Sequence, residues 1–116
     1  MSHALKILIL EDEMIEALSL KMEFETRGMG EVFIASTYKK AMEIYRKEAP
    51  EVAIVDINLN DEKNGIDFIS ATSTFNKVIL LSGYRIDLYE EELKQISFDH
   101  YLEKPIDAEQ LVACLR

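Results

Sequence analysis

Short apolar segments alternate with longer stretches of helical periodicity along this 116-residue chain. The apolar segments are rich in β-branched or aromatic residues: Leu5–Leu10, Glu31–Ala35, Val52–Val55, Val78–Leu81 and Phe98–Leu102. Apolar runs without polar alternation are typical of strands that helices cover on both faces of a parallel sheet. We therefore predict five buried parallel strands.

The stretches between the strands place apolar residues three, four and seven positions apart, as amphipathic helices do. The third helix is predicted to start at Gly65 and to weaken towards Ser73, because Ala71-Thr72-Ser73-Thr74 is a poor helix former. Five strand–helix units predict an α/β three-layer sandwich with right-handed crossovers. The positions predicted to be buried are Ile15, Leu18 and Met22 in the first helix, Tyr38, Ala41, Met42 and Tyr45 in the second, Ile86, Tyr89, Leu93 and Ile96 in the fourth, and Ala108, Leu111, Val112 and Leu115 in the fifth.

Charge and composition narrow the range of functions. The chain carries 22 acidic and 13 basic residues, a net charge of −9, which makes it a poor candidate for binding nucleic acid or an anionic membrane. Its longest apolar runs have four residues, too few to cross a bilayer. The single Cys114 excludes a disulfide framework and a cysteine-based zinc site. We expect a cytoplasmic protein without membrane insertion or direct contact with nucleic acid.

Polar side chains follow four of the predicted strands. In an open parallel sheet, ligands bind outside the carboxyl ends of the strands. Carboxylates that meet there repel one another, by about 4 kcal/mol at about 4 Å and an effective dielectric constant of 20. A divalent cation such as Mg²⁺ and the Lys104 ammonium are the candidates to offset that repulsion. The residues are Glu11, Asp12 and Glu13 after the first strand, Asp56 after the third, Ser82-Gly83 after the fourth and Lys104-Pro105 after the fifth.

Each of these features also has a simpler explanation when it is taken alone. The Glu11–Glu13 carboxylates can be helix-start residues favoured by the macrodipole, and Asp56 can cap the next segment. Ser82-Gly83 and Lys104-Pro105 can be ordinary turns. The combination at four strand ends is much harder to obtain by chance.

In this order and at this spacing, five motifs resemble the receiver domain of bacterial two-component response regulators. The resemblance covers nearly the whole chain and implies a flavodoxin-like fold, with a five-stranded parallel sheet of order 2-1-3-4-5 and five helices. It also implies that residues 1–116 form a single receiver domain, with no output domain in this chain. The motifs are Ile7-Leu8-Ile9-Leu10-Glu11-Asp12-Glu13, Val55-Asp56-Ile57-Asn58-Leu59, Gly65-Ile66-Asp67, Leu80-Leu81-Ser82-Gly83-Tyr84 and Tyr101-Leu102-Glu103-Lys104-Pro105.

The resemblance further implies a role for each residue of the site. Asp56 is the implied phosphoacceptor, which attacks the phosphohistidine of a partner. The implied Mg²⁺ ligands are Asp12 and Asp56 directly, Glu11 through water, and Asn58 through its backbone carbonyl. Lys104, Ser82 and Gly83 are implied to bind the phosphoryl group, Tyr101 to turn inward as the hydroxyl moves, and Pro105 to be a candidate for a cis peptide bond.

The implied function is a Mg²⁺-dependent signalling switch rather than an enzyme in the usual sense, one that catalyses its own phosphorylation and dephosphorylation. Its partner would be a sensor histidine kinase or a histidine phosphotransfer protein. The surface of the fourth helix, fifth strand and fifth helix would be the output face and a surface for a homodimer.

Two alternative functions remain open, and one loop departs from the family pattern. A degenerate receiver would bind a partner without phosphorylation. An aspartyl-phosphate hydrolase would need a second Asp two residues after the nucleophile, where this chain has Asn58. The loop Asn60–Asn64 is lengthened compared with many members of the family, and we expect it to lie beside the pocket and to influence the choice of partner.

Overall fold

A computed structural model describes residues 5–116, so the first four residues of the predicted domain lie outside the described part. Five strands form one parallel sheet in the order β2-β1-β3-β4-β5, which confirms the predicted fold class and strand order. The strands are β1 Lys6–Leu10, β2 Glu31–Ala35, β3 Val52–Asp56, β4 Lys77–Ser82 and β5 His100–Glu103. Since β1 and β3 are neighbours in this order, their carboxyl ends lie side by side.

In the described part of the chain, five α-helices and a 3₁₀ turn connect and cover the strands. The third helix ends at Ser70, as its weak continuation predicted, and the Thr72 hydroxyl bonds back to the Phe68 carbonyl at 2.9 Å. The elements are α1 Met14–Thr26, α2 Tyr38–Glu48, α3 Gly65–Ser70, the 3₁₀ turn Ile86–Tyr89, α4 Glu90–Leu93 and α5 Ala108–Cys114.

Side chains that alternate along the strands build one core on each face of the sheet. Leu8 and Leu10 of β1 pack with α2, α3 and α4, whereas Ile7 and Ile9 pack with α1 and α5. This is the predicted three-layer sandwich, and all four of these side chains are fully buried. Burial on both faces explains why the strands read as uninterrupted apolar runs.

The first helix buries a different face from the predicted one. Ile15 is 86% exposed and Met22 67%, while Ala17 and Phe24 are buried. The helix carries two apolar stripes, and the one that packs against the sheet combines its smallest and its largest apolar side chain. Ala17 permits a close approach to the sheet, and Phe24 fills the space beyond it. The large apolar side chains that α1 leaves exposed form what we call the α1 stripe: Met14, Ile15, Leu18 and Met22.

The fourth helix is shorter than its periodicity predicted. A 3₁₀ turn replaces its beginning, α4 itself is a single turn, and Ile86 is 46% exposed rather than buried. Asp87 lies three and four positions before Glu90 and Glu91, and like charges at these spacings destabilise an α-helix. The segment near the carboxyl end of β4 is therefore held by few regular helical hydrogen bonds.

The fifth strand begins two residues later than predicted, at His100 instead of Phe98. The Asp99 carboxylate accepts the Val78 N–H at 2.8 Å, and the Asp99 N–H donates to the Val78 carbonyl at 2.8 Å. Asp99 thus takes up both backbone groups of Val78, and regular pairing between β4 and β5 starts at the next residue, His100.

Gly65 brings α3 against the end of β3. A side-chain carbon at this position would lie 2.5 Å from the Asp56 carbonyl oxygen and 2.4 Å from Val55 Cγ1, so only glycine fits. A capping box between Asn64 and Asp67 starts the helix at the same point.

No helix within residues 5–116 combines the length and the apolar character that crossing a bilayer requires.

Candidate functional site

Three carboxylates converge where β1 and β3 end. One oxygen from each of Glu11, Asp12 and Asp56 can be chosen so that all three lie within 4.8 Å of one another. Glu11 is 1% exposed and Asp56 2%, which is unusual for acidic side chains. We call these three residues and Lys104 the acidic pocket. The sequence predicted this convergence from the strand ends, and the strand order produces it.

Lys104 offsets part of the buried negative charge. Its Nζ lies 2.8 Å from Asp56 Oδ2, 2.9 Å from Glu11 Oε2 and 3.2 Å from Glu16 Oε2. The Lys104 backbone N–H donates to the Ser82 carbonyl at 2.7 Å, which fixes the chain beside the end of β4. The Lys104–Pro105 peptide bond is cis.

Burial and ion pairing shift two ionisations in the pocket. Burial raises the pKa of Glu11 to about 7, and the nearby Asp56 carboxylate adds to this rise although Lys104 opposes it. Burial on its own would lower the pKa of Lys104, but hydrogen bonds to Asp56 and Glu11 raise it well above its ordinary value. The amine therefore stays charged, and one of the carboxylates it pairs with is readily protonated.

Backbone N–H groups orient the pocket carboxylates. Asp56 Oδ1 accepts from the Asn58 N–H at 2.7 Å, and Glu11 Oε1 accepts from the Glu13 N–H at 3.0 Å. Asp12 Oδ2 accepts from the Asn60 N–H at 2.9 Å. The lengthened loop thus reaches the pocket through its backbone.

The rest of that loop turns towards α2. Asp61 Oδ2 accepts from the Tyr38 N–H at 3.0 Å, and Lys63 Nζ lies 4.8 Å above the centre of the Tyr38 ring. The loop therefore lies beside the pocket at Asn60 only, and its tip is anchored to the start of α2.

The Ser82 hydroxyl at the end of β4 is hydrogen-bonded to the Asn58 side chain. Ser82 Oγ donates to Asn58 Oδ1 at 2.7 Å and accepts from the Tyr84 N–H at 3.0 Å. The Gly83 N–H also donates to Asn58 Oδ1, at 3.3 Å, and a side-chain carbon at Gly83 would meet no neighbour within 4 Å. Ser82 and Gly83 thus both donate a hydrogen bond to the same Asn58 amide oxygen.

Tyr101 of β5 is half-buried and is tied to the same loop. Its hydroxyl donates to the Tyr84 carbonyl at 2.7 Å. Burial raises the pKa of its phenol above the ordinary value, so the group keeps its proton near neutral pH. The β4–α4 loop is thus held from one side by Asn58 and from the other by Tyr101.

Three contacts in this region are not predicted by the sequence. Glu16 contacts Lys104 from the first turn of α1, Asn60 contributes only a backbone N–H, and the Tyr89 hydroxyl accepts a hydrogen bond from Asn58 Nδ2. Glu16 follows the acidic run by three residues and could have been included with it. Backbone donors and a contact across 31 residues leave no trace in sequence periodicity.

The pocket opens to solvent through a cleft of about 460 Å³, which is wide enough for a small anionic group. Every buried side-chain nitrogen or oxygen within residues 5–116 has a hydrogen-bond partner. The site combines oxygen donors for a hard cation, a buried carboxylate on a strand end and a charged amine. This combination suits the transfer of a phosphoryl group, in which catalysis depends on positioning and charge neutralisation.

Comparison with known proteins agrees with this geometry. Residues 7–116 match the family model described as the response regulator receiver domain. The sensory transduction protein LytT of Bacillus anthracis is 27% identical over 114 residues, which are 97% of this chain and 46% of that protein. The chain spans between 31% and 60% of the length of such curated relatives.

Solved structures share the fold. A CheY-like receiver domain protein of Methanospirillum hungatei superposes with a TM-score of 0.85 at 25% identity, over 97% of this chain and 91% of that one. A response regulator of Burkholderia pseudomallei has a TM-score of 0.82 at 26% identity, over 97% of this chain and 66% of that one. That protein was solved with a phosphorylated aspartic acid, a calcium ion and citrate.

Proposed function

Because this chain belongs to the response regulator receiver domain family, we propose that it accepts a phosphoryl group on Asp56 in a Mg²⁺-dependent reaction. Receiver domains are signalling switches. The observation that carries the proposal is the buried Asp56 carboxylate, 2.8 Å from the Lys104 ammonium and within 4.8 Å of two further carboxylates. Glu11 is buried as deeply and also contacts Lys104, but it lies one residue beyond β1, whereas Asp56 is the last residue of β3.

The donor set fits Mg²⁺. Asp12 and Asp56 would supply hard oxygen ligands to the ion, Glu11 would act through water, and the Asn58 backbone carbonyl would complete the protein's contribution. When bound, the ion supplies positive charge to the phosphoryl oxygens. The calcium ion and phosphorylated aspartic acid of the Burkholderia pseudomallei protein support an equivalent use of this pocket.

The residues of the pocket have distinct tasks in the transfer. An Asp56 carboxylate oxygen forms the new O–P bond while the P–N bond of a phosphohistidine breaks and the imidazole leaves. Lys104 Nζ at 2.8 Å and the Asn58 N–H at 2.7 Å hold the carboxylate in one orientation before the attack. Lys104 then pairs with a phosphoryl oxygen, and the Ser82 hydroxyl and the Gly83 N–H bind the group once it has arrived.

The donor is a sensor histidine kinase or a histidine phosphotransfer protein, and we assign its docking surface to the α1 stripe. A cleft of about 290 Å³ runs from this stripe to the pocket and is lined by Ile15, Glu16, Lys104 and Ile106, among others. An exposed apolar stripe beside a reactive group is the arrangement expected for a protein partner rather than for a free small molecule.

The response is read on a second surface. We propose the 3₁₀ turn, α4, β5 and α5 as the output face, because the Tyr101 hydroxyl links β5 to the Tyr84 carbonyl there. A homodimer through this face, one receiver domain over residues 1–116, and a cytoplasmic location stay predictions.

Two other functions find less support. A hydrolase of the aspartyl-phosphate kind would use a carboxylic acid at position 58, whereas Asn58 offers an amide, which neither donates nor accepts a proton near neutral pH. A degenerate receiver would not need the lysine, the hydroxyl and the buried carboxylate together, and the chain has all three.

The test is labelling by a small phosphodonor such as phosphoramidate, or binding of beryllofluoride, with and without Mg²⁺. We expect the 116-residue chain to gain one phosphoryl group by intact mass and Asp56→Asn to gain none. Asp99→Asn is the matched control, because it changes an acidic side chain at the other end of β4 and should label like the parent chain.

Labelling of Asp56→Asn to the same extent would show that another group is the acceptor. If the parent chain takes up neither phosphate nor beryllofluoride at saturating Mg²⁺, the degenerate receiver replaces this proposal.

A further inference from the structure

The side-chain amide of Asn58 lies between the Ser82 hydroxyl and the 3₁₀ turn. Its Oδ1 accepts from Ser82 Oγ at 2.7 Å and from the Gly83 N–H at 3.3 Å, and its Nδ2 donates to the Tyr89 hydroxyl. The Gly83 backbone N–H can only donate, so the amide atom that faces it is the oxygen. The NH₂ group therefore faces Tyr89, and the phenol oxygen is the acceptor.

This arrangement engages both the proton and the oxygen of the Ser82 hydroxyl. Its proton is used by Asn58 Oδ1, and its oxygen accepts the Tyr84 N–H at 3.0 Å. Binding a phosphoryl oxygen requires the hydroxyl to leave Asn58. The free energy of that step depends on how firmly the amide is held.

Tyr89 holds the amide from the other side. Asn58 Nδ2 donates its hydrogen bond to the Tyr89 hydroxyl. Tyr89 is half-buried at the end of the 3₁₀ turn, and its ring meets that of Tyr84 edge-on, with 6.5 Å between centroids. A rotation of the Asn58 amide would thus also break a contact of the segment that starts α4.

We propose that Tyr89 is a positioning residue for the phosphoryl-transfer site: through Asn58 it holds the Ser82 hydroxyl off the acceptor and so opposes the phosphorylated arrangement. The inference rests on the proposed function, since it assigns a regulator to the same site. It also couples the 3₁₀ turn to the site, because the Asn58 amide that Tyr89 holds and the phosphoryl group compete for the Ser82 hydroxyl.

The experiment compares Tyr89→Phe with the parent chain by NMR titration with beryllofluoride and Mg²⁺. Loss of one neutral hydrogen bond that favours the free form should tighten beryllofluoride binding about 2- to 10-fold. Tyr38→Phe is the control: it also removes a phenol hydroxyl from a half-buried ring, and Tyr38 lies at the start of α2, away from Asn58. It should leave the affinity unchanged.

Two readouts separate positioning from simple packing. In the ligand-free chain, the Gly83 amide resonance should shift in Tyr89→Phe and not in Tyr38→Phe, because the Gly83 N–H reports on Asn58 Oδ1. In an Asn58→Ala background, Tyr89→Phe should have no further effect on beryllofluoride affinity, since both changes remove the same restraint.

An affinity of Tyr89→Phe equal to that of the parent chain, or a full effect of Tyr89→Phe in the Asn58→Ala background, would overturn this inference and leave the proposed function intact. Failure of the parent chain itself to bind beryllofluoride would overturn both.

Discussion

Two neighbouring regions of the molecule reverse the usual distribution of polar and apolar side chains. The acidic pocket buries charge, with Glu11 only 1% exposed, and the α1 stripe beside it exposes apolar surface, with Ile15 86% exposed. Both arrangements are unfavourable in a free soluble domain. The difference is that the pocket contains its own compensation in Lys104, whereas the stripe is compensated only when something covers it.

This difference separates two kinds of recognition. In the pocket, Lys104 pairs with the carboxylates, and the proposed function requires it to release part of that pairing to a cation and a phosphoryl group. At the stripe, binding releases no internal contact and removes apolar area from water. We therefore expect changes in the pocket to alter stability and chemistry together, and changes in the stripe to alter recognition alone.

The largest effect is expected from Lys104→Met. Removing the ammonium leaves Glu11 and Asp56 buried without their charged partner, a change that costs about 3–5 kcal/mol in comparable buried pairs. Denaturant unfolding in EDTA measures the loss, and saturating Mg²⁺ should recover part of it because the cation takes over the compensation.

Lys94→Met is the matched control for this prediction. Lys94 pairs with Glu91 on an exposed part of α4, and such pairs contribute about 0–1 kcal/mol. Equal losses for Lys104→Met and Lys94→Met, or a loss that Mg²⁺ does not reduce, would show that the pocket does not depend on internal compensation.

A smaller effect is expected from pH acting on Glu11. Its folded pKa is raised to about 7 from an ordinary value of 4.5, so between these values the folded state binds more protons than the unfolded state. The contribution of Glu11 to the free energy of unfolding therefore falls as pH rises from about 4.5 through 7, by at most about 3 kcal/mol. Glu11→Gln removes this titration and should gain stability relative to the parent chain between pH 5 and 8 in EDTA.

Glu109→Gln provides the opposite sign. Arg27 lowers the pKa of Glu109, so the contribution of this exposed carboxylate is present above its ordinary pKa and is lost only in acid. Its difference from the parent chain should stay flat between pH 5 and 8. A flat difference for Glu11→Gln as well would contradict the raised pKa of Glu11.

The two regions also differ in how far sequence reasoning reached them. The pocket was predictable because strand ends meet at one edge of a parallel sheet, and Glu11, Asp12, Asp56 and Lys104 all follow strands. The α1 stripe was predicted on the wrong side, because α1 carries two apolar stripes of similar periodicity. Only packing of Ala17 and Phe24 against the sheet decides between them.

The smallest expected change in the free energy of unfolding comes from Ile15→Ser. This variant also separates the two regions most clearly. Ile15 is 86% exposed, so unfolding should change by about 0.5 kcal/mol or less, and labelling by phosphoramidate should match the parent chain. Transfer from a phosphorylated histidine phosphotransfer protein should slow about 10-fold, or about 1.4 kcal/mol, because a covered isoleucine contributes at least this much to an interface. Leu88→Ser, at a 65% exposed apolar position on the 3₁₀ turn, should leave that transfer rate unchanged. If Ile15→Ser slows the small donor and the protein donor equally, the stripe acts on the pocket itself and the separation between recognition and chemistry fails.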